Sequence, residues 1–464
     1  MAYRTLNPFT EQLVREYPEH TDAQVEAALA KADALFRSDW SQGDMAPRLA
    51  VLARMAELLT ERSDTLAQAM ATEMGKLVEQ GAGEIQLCAG IAKYYAENAA
   101  EFLKPETIDT DLGEAWVQHH PIGVLIAVEP WNFPIYQLIR VIAPAIAVGN
   151  PVMFKHAGIV PHCAELFEQL VRDAGAPEGA VTNLYVSSGT VAELIGDDRV
   201  QGVALTGSED AGSKVSARAS EKLKKSTLEL GGADVFVVLD DADIERAAEI
   251  GTQARLANAG QVCTAAKRFI VHEAVAEAFL TAFKANMGAA VLGDPMDPST
   301  TLGPLSSEDA LNGLEKQVDA AVSAGATVLA GGKRADRTGF FFEPTILTDI
   351  ARDNPAYFEE FFGPVAMVHV VKDDDEVVRI ANDSHYGLGG SIFAGDIDRA
   401  RTLATRIETG MVFINTATTS MPELPFGGVK RSGFGRELGD VGIKEFVNRK
   451  LVVIASGEAV QTVG

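Results

Sequence analysis

The feature that most constrains this 464-residue chain is an alternation of short apolar runs with helical stretches. It begins at residue 122 and restarts near Asp234. Residues 122–128 form a compact apolar run, 137–148 have helical periodicity, 151–154 are again strand-like and 163–174 read as a helix. The apolar runs 181–186 and 200–205 continue the series. Strand alternating with helix predicts a parallel sheet covered on both faces. Such sheets bind ligands beyond the carboxyl ends of their strands, beside helix N-termini. The second series (235–239, 244–257, 268–271, 275–285, 311–324 and Val365–Val371) predicts a second α/β unit. The length fits two or three domains at ~100–200 residues each.

Residues 21–101 read instead as packing helices. Asp22–Phe36 repeats apolar residues three and four apart behind Thr21 as a cap, and 48–59 and 85–99 follow the same period. Lys76 in EMGK and the acids near it read as surface groups. Residues 114–119 and 451–454 look like strands outside either series, and the tail after Ser456 reads as a frayed polar end.

Composition narrows the partners. A net charge of −25 repels phosphate backbones and anionic lipid, so neither nucleic acid nor a membrane surface is expected as a partner. An anionic ligand must then be held by a particular Arg or Lys. Three cysteines (Cys88, Cys163 and Cys263), none in a Cys-x-x-Cys pair, do not make a disulfide framework. With no signal-like N-terminus and no apolar run of about 20 residues, a cytoplasmic protein is expected. No metal site is expected.

Several short segments carry chemistry. Cys263 follows a helix in NAGQVCT, where Gly260 suits a turn that presents a side chain. Cys88 and Cys163 sit on helices with no partner motif and read as small buried hydrophobes. Glu229 in LELGG places a carboxyl at an apolar strand end. It is either a structural group bonded to amides or a base of raised pKa. In EPWNFP, Asn132 is either a turn cap or an oxyanion donor. LTGS, with Gly207 and Ser208 before a helix, suits a phosphate, although many such turns bind nothing. Lys155 at a strand end is placed to reach a cofactor ribose. EEFFGP and PFGG are loop motifs that plain turn chemistry also explains.

The joint order of these segments is far more specific than any one of them. PWNFP at 130–134, LTGS at 205–208, LELGG at 228–232, GQVC at 260–263, EEFFGPV at 359–365 and PFGGVKRSGFGRE at 425–437 resemble the aldehyde dehydrogenase superfamily over the whole chain. The resemblance implies an α/β fold. It has a Rossmann-like cofactor domain (1–110 and 122–230), an α/β catalytic domain (231–430) and a small β oligomerisation element (111–121 and 446–458) that makes a homodimer or homotetramer. It also implies residue roles. Cys263 is the nucleophile, Asn132 with the Cys263 amide binds the oxyanion, and Glu229 activates water. Glu360 binds the nicotinamide ribose and Phe362 packs near that ring, with Trp131 and Leu230 also binding the cofactor. Lys155 contacts the adenosine ribose, while Gly207 and Ser208 contact the pyrophosphate.

Two finer expectations follow. In the family an acid commonly stands three residues after the Lys and repels a 2′-phosphate. Here the run is Lys155-His156-Ala157-Gly158. Loss of that charge opens the site to NADP, which is favoured over NAD, with His156 and Lys155 adding positive potential. KHA, GQVCTAAKRFI and ELPFGGVKRSGFGRELG further resemble bacterial succinate-semialdehyde dehydrogenases. That resemblance makes Arg140 and Ser420 ligands of a substrate carboxylate, near Phe426. A salt bridge is the plainer role for Arg140. Glutarate semialdehyde or a neutral aliphatic aldehyde is the alternative substrate, since one methylene discriminates by only ~1–3 kcal/mol. Glu229 argues against a CoA-acylating enzyme, and the joint presence of Cys263, Glu229 and Asn132 argues against a non-catalytic relative. No second cysteine closely follows Cys263, so no redox switch is expected.

Overall fold

Both apolar series fold as parallel sheets, and the computed structural model describes them within residues 3–456. The first sheet contains β1 (Val124–Glu129), β2 (Val152–His156), β3 (Val181–Asn183), β4 (Val200–Thr206) and β5 (Lys225–Glu229). Its order is β5-β4-β1-β2-β3, all parallel, with Gly433–Phe434 added antiparallel beside β5. Alternate residues of β1 enter different cores, as the pleat requires. Leu125 and Ala127 pack toward the N-terminal helices, and Val124 and Ile126 pack against the opposite layer containing Val25 and Leu29.

The second sheet contains β6 (Val235–Val238), β7 (Arg268–His272), β8 (Thr327–Ala330), β9 (Thr345–Thr348), β10 (Val365–Val371), β11 (Gly390–Phe393) and β12 (Phe413–Ile414). Its order is β8-β9-β10-β7-β6-β11-β12, parallel except for the edge pair β8–β9. Phe236, Phe269, Phe279, Phe283 and Phe393 stack through one face of it. A third, antiparallel layer joins Glu106–Ile108, Gly113–Pro121 and Val447–Ala455. Nine register pairs run from Pro121↔Val447 to Gly113↔Ala455. Leu451, Val453 and Ile454 lie exposed on it. The end of the 446–458 stretch and the tail after Ser456 lie outside the described residues.

The helices emerge largely where periodicity put them, with ends set by local chemistry. Thr21 forms a reciprocal capping box with Gln24 at the start of Asp22–Phe36. The 85–99 pattern belongs to a longer helix, α1 (Val78–Phe102), and the 137–148 pattern to α2 (Pro134–Val148), which starts on a proline. The apolar run 181–186 is a strand only to Asn183. Beyond it, the Val186 main chain pairs with the Tyr3 hydroxyl (2.8 and 3.1 Å) instead of a neighbouring strand.

One expectation fails outright. Lys76 is not a surface group: its residue is 1% exposed, it pairs with buried Glu84, and its Nζ lies 3.6 Å from the Phe133 ring centroid. Glu84 Oε1 in turn accepts from the N–H groups of Ile135 and Tyr136, both at 2.9 Å. A carboxylate at a helix N-terminus satisfies orphan donors and matches the helix dipole. Removing one partner of such a buried pair typically costs ~3–5 kcal/mol. Lys76 and Glu84 thus anchor the start of α2, one residue beyond the Asn132-Phe133 turn.

Candidate active site

The carboxyl ends of β1, β4 and β5 carry Glu129, Thr206 and Glu229, and the register sets Thr206 beside Glu229. Above them runs the turn between β1 and α2, which holds Asn132. From the second sheet comes the segment before β7, which holds Cys263. It is a forced turn: Asn258 (φ 50), Ala259 (φ 54) and Gly260 (φ 76) are all left-handed, a costly arrangement for the two non-glycines. Asn258 relieves part of that cost, its Nδ2 donating to the Asn132 carbonyl at 2.9 Å. Asn132 answers with Nδ2 donating to the Gln261 carbonyl at 3.0 Å, while its Oδ1 accepts from Gln137 Nε2 at 3.3 Å. These bonds fix which end of the Asn132 amide faces the cysteine segment.

A cleft of about 300 Å³ separates the two sheets. Cys263, half-buried, sits on its wall with Asn132, Thr206, Leu230, Glu360 and Phe362. Trp131 meets Phe362 edge-to-face at 5.7 Å, forming an apolar flank. Gly207 and Ser208 also line it, and Ser208 caps α3 (Glu209–Glu221) by accepting from Ala211 N at 3.3 Å. The first turn of α3 is acidic, but Arg431 pairs with Glu209 and Lys214 with Asp210, both at 2.6 Å. That leaves the helix N-terminus fit for an anion. Glu360 Oε1 accepts from Gly232 N and meets Lys267 Nζ, both at 3.1 Å. Gly232 must be glycine: a Cβ there would stand 2.5 Å from the Cys263 carbonyl oxygen. An apolar slot, a helix N-terminus and a carboxylate for ribose hydroxyls together fit a nicotinamide dinucleotide.

Burial governs the proton chemistry. It pushes the Cys263 thiol up to about 12, opposed first by Lys267 and then by Arg140. Burial also raises Glu229 well above the usual carboxylate range, with Glu437 adding to the rise and Arg140 opposing it. Burial thus favours the protonated form of both groups.

The remaining residues lie outside the cleft wall. Lys155 Nζ donates to the His156 carbonyl at 3.1 Å and is partly buried near Tyr3. His156 does not add positive potential. It is buried, its Nδ1 accepts from Ala157 N at 2.9 Å, its Nε2 is 2.8 Å from the Pro134 carbonyl, and burial depresses its pKa to about 4. It is a neutral brace for the start of α2. Gly158 bonds through its carbonyl to Arg4 N at 3.0 Å. Arg140 is fully buried between the rings of Tyr136 and Phe426, at 4.6 and 4.7 Å. Its Nε is 2.8 Å from Glu437 Oε2 and its Nη2 donates to Thr206 at 3.2 Å, so a salt bridge is already present. Its Nη1 is buried and makes no hydrogen bond among the described residues. Tyr136 in turn donates to Ser420 Oγ at 2.7 Å, which ties Ser420 to the same cluster.

Comparison with known proteins agrees with this arrangement. The aldehyde dehydrogenase family model matches residues 1–452. The chain belongs to the aldehyde dehydrogenase family. Among its relatives is the succinate-semialdehyde dehydrogenase [NADP(+)] of Deinococcus radiodurans, 48% identical over 97% of this chain and 94% of that protein. A crystal structure of succinic semialdehyde dehydrogenase from Streptococcus pyogenes, in complex with NADP+, superposes with a TM-score of 0.96 at 45% identity. It covers 98% of this chain and 100% of its own. A point mutant of betaine aldehyde dehydrogenase from Staphylococcus aureus in complex with NAD+ gives 0.95 at 30%, covering 100% and 96%. The expected α/β aldehyde dehydrogenase fold and the family expectation are both borne out.

In this aldehyde dehydrogenase several neighbours of the cleft had no part assigned to them by the motifs, although Thr206 lies within LTGS and Glu437 closes PFGGVKRSGFGRE. Thr206, Gln137 and Glu437 surround Arg140, and Lys267 sits behind Cys263. Lysine is almost never fully buried, so nothing in the run AAKRF singles out Lys267. No helix of the described residues is long and apolar enough to cross a membrane.

Proposed function

We propose that this aldehyde dehydrogenase oxidises succinate semialdehyde to succinate and prefers NADP to NAD. The observation that carries the substrate is Arg140, a guanidinium buried in an aromatic sandwich with Nη1 left free to take a carboxylate. Ser420, tied to Tyr136 on the same helix face, is the second ligand for that end. Relatives at 42–48% identity bear the succinate-semialdehyde dehydrogenase [NADP(+)] name, which supports both parts. For the cofactor, Gly158 stands three residues after Lys155, where an acid would repel a 2′-phosphate.

The chemistry then runs through this chain's own groups. The Cys263 sulfur adds to the aldehyde carbon, while its thiol proton leaves through Glu229 or water. The Asn132 amide and the Cys263 N–H take the oxyanion, which frees Asn132 from the Gln261 carbonyl. When bound, the nicotinamide ring accepts the hydride released as the oxyanion collapses. A thioester remains on Cys263. Glu229 takes a proton from the attacking water, and Cys263 departs as thiolate. Glu360 holds the cofactor ribose, and Ser208 at the α3 N-terminus holds the pyrophosphate. The exposed strand layer ending at Ala455 meets a second copy to give a homodimer or homotetramer.

The test follows reduced-cofactor absorbance with succinate semialdehyde, glutarate semialdehyde and butanal, with NADP and NAD in parallel. The highest kcat/KM is expected for succinate semialdehyde with NADP. It rises with pH from 6 to 9, because burial favours the protonated forms of Cys263 and Glu229 and both must lose a proton to act. Equal kcat/KM for butanal would remove the carboxylate reading. A higher value for glutarate semialdehyde would replace the substrate but keep the carboxylate.

A further inference from the structure

Lys267 is fully buried and stands directly behind the nucleophile. Its main chain is fixed between two strands, its N–H donating to the Asp234 carbonyl at 3.1 Å and its carbonyl accepting from Met367 N at 2.9 Å. Its ammonium donates to the carbonyls of Val262 at 2.9 Å and Cys263 at 2.6 Å, and it pairs with Glu360 Oε1 at 3.1 Å. The three ammonium donors are therefore matched to three oxygens, two of them on the nucleophile segment. Arg255, also buried, grips the same segment further out, at the carbonyls of Gly260 (2.6 Å) and Ala266 (3.1 Å). With both cations drawing carbonyls toward the sheet, the turn is held with the cysteine on the cleft wall.

We propose that Lys267 is a positioning residue for Cys263: it holds the main chain of the nucleophile segment and supplies the positive charge that favours the thiolate. The proposal rests on reading Cys263 as the nucleophile. Four charged groups act most strongly on the thiol. Lys267 and Arg140 favour its ionised form, while Glu360 and Asp234 oppose it. Asp234 is tied to Gly389 N at 3.0 Å and Arg140 to Glu437, whereas Glu360 shares the Lys267 ammonium itself. The carboxylate assigned to the cofactor ribose is thus joined to the nucleophile's own carbonyl through one cation. Removing Glu360's charge leaves Lys267 undivided beside the thiol, so substitutions at 267 and 360 have opposite signs.

The experiment is the rate of iodoacetamide alkylation of Cys263 from pH 6 to 10, read by peptide mass, in wild type, Lys267→Met and Glu360→Gln. Cys88 and Cys163 are fully buried, which isolates the signal. Lys267→Met is expected to move the profile about one pH unit higher and slow alkylation about tenfold at pH 8. Glu360→Gln is expected to move it lower. A Lys267→Met profile superimposable on wild type, with the thermal transition retained, overturns the proposal. If Lys267→Met does not accumulate as folded protein, Glu360→Gln decides alone: an unmoved or raised profile overturns it. Loss of packing alone does not produce shifts of opposite sign. Failure of the underlying reading looks different, since wild-type Cys263 would then resist alkylation while the enzyme still turned over.

Discussion

Cys263→Ala loses aldehyde oxidation by about 10⁴-fold or more, measured as reduced-cofactor formation at saturating substrate. Among the described residues that line the cleft, Cys263 is the one thiol. Thr206 is committed to Arg140, and Ser208 caps α3. The second-best nucleophile is water, which lacks the pre-positioning that the turn at 258–260 provides. The substitution removes one sulfur from a half-buried site, and both cations that brace the segment hold main-chain carbonyls rather than the thiol. The thermal transition should therefore stay close to wild type. A loss of activity that tracked a loss of folded protein would instead mark Cys263 as structural.

Arg140→Ala is the second large effect. The expected outcome is a fall in kcat/KM for succinate semialdehyde of about 10²–10³-fold, from losing a buried charge-assisted contact. Butanal, the same length without the carboxylate, should lose less than about tenfold. The substitution also strands Glu437, which burial already drives toward its protonated form. Folded stability should drop, by the ~3–5 kcal/mol typical of breaking a buried pair. For that reason the comparison of two substrates on one variant matters more than the absolute rate. Equal losses for both aldehydes would make Arg140 a support for Glu437 and the α2 helix rather than a ligand.

How much of this was legible in the sequence varies with the kind of interaction. Parallel strands buried on both faces write themselves as apolar runs, and Val365–Val371 was readable to the residue. The capping of Asp22–Phe36 by Thr21 is equally local. The motif order exposed Cys263, Asn132 and Glu360, which the fold gathers on one cleft from three different segments. Buried cations were not legible. Lys76 reads as solvent-facing because its partner Glu84 lies eight residues on, in α1, and its aromatic roof, Phe133, comes from another segment. Lys267 was invisible for the same reason, since two of its oxygen partners are main-chain atoms that no residue name reveals. His156 misled in the opposite direction. Its position after a strand-end lysine suggested charge, whereas the Pro134 carbonyl and the Ala157 amide fix it neutral. Arg140 was placed on the correct helix, but its pairing with Glu437 depends on a contact across about 300 positions of chain.

Passage of an acyl group through the Cys263 sulfur is tested most directly by a mass measurement. Enzyme turning over succinate semialdehyde with NADP is quenched in acid and digested, using wild type and Glu229→Gln. The prediction is a succinyl thioester on the peptide containing Cys263, more abundant in Glu229→Gln because hydrolysis has lost its base. An acyl group on any other residue, or continued turnover with Cys263 unmodified in both proteins, would contradict it.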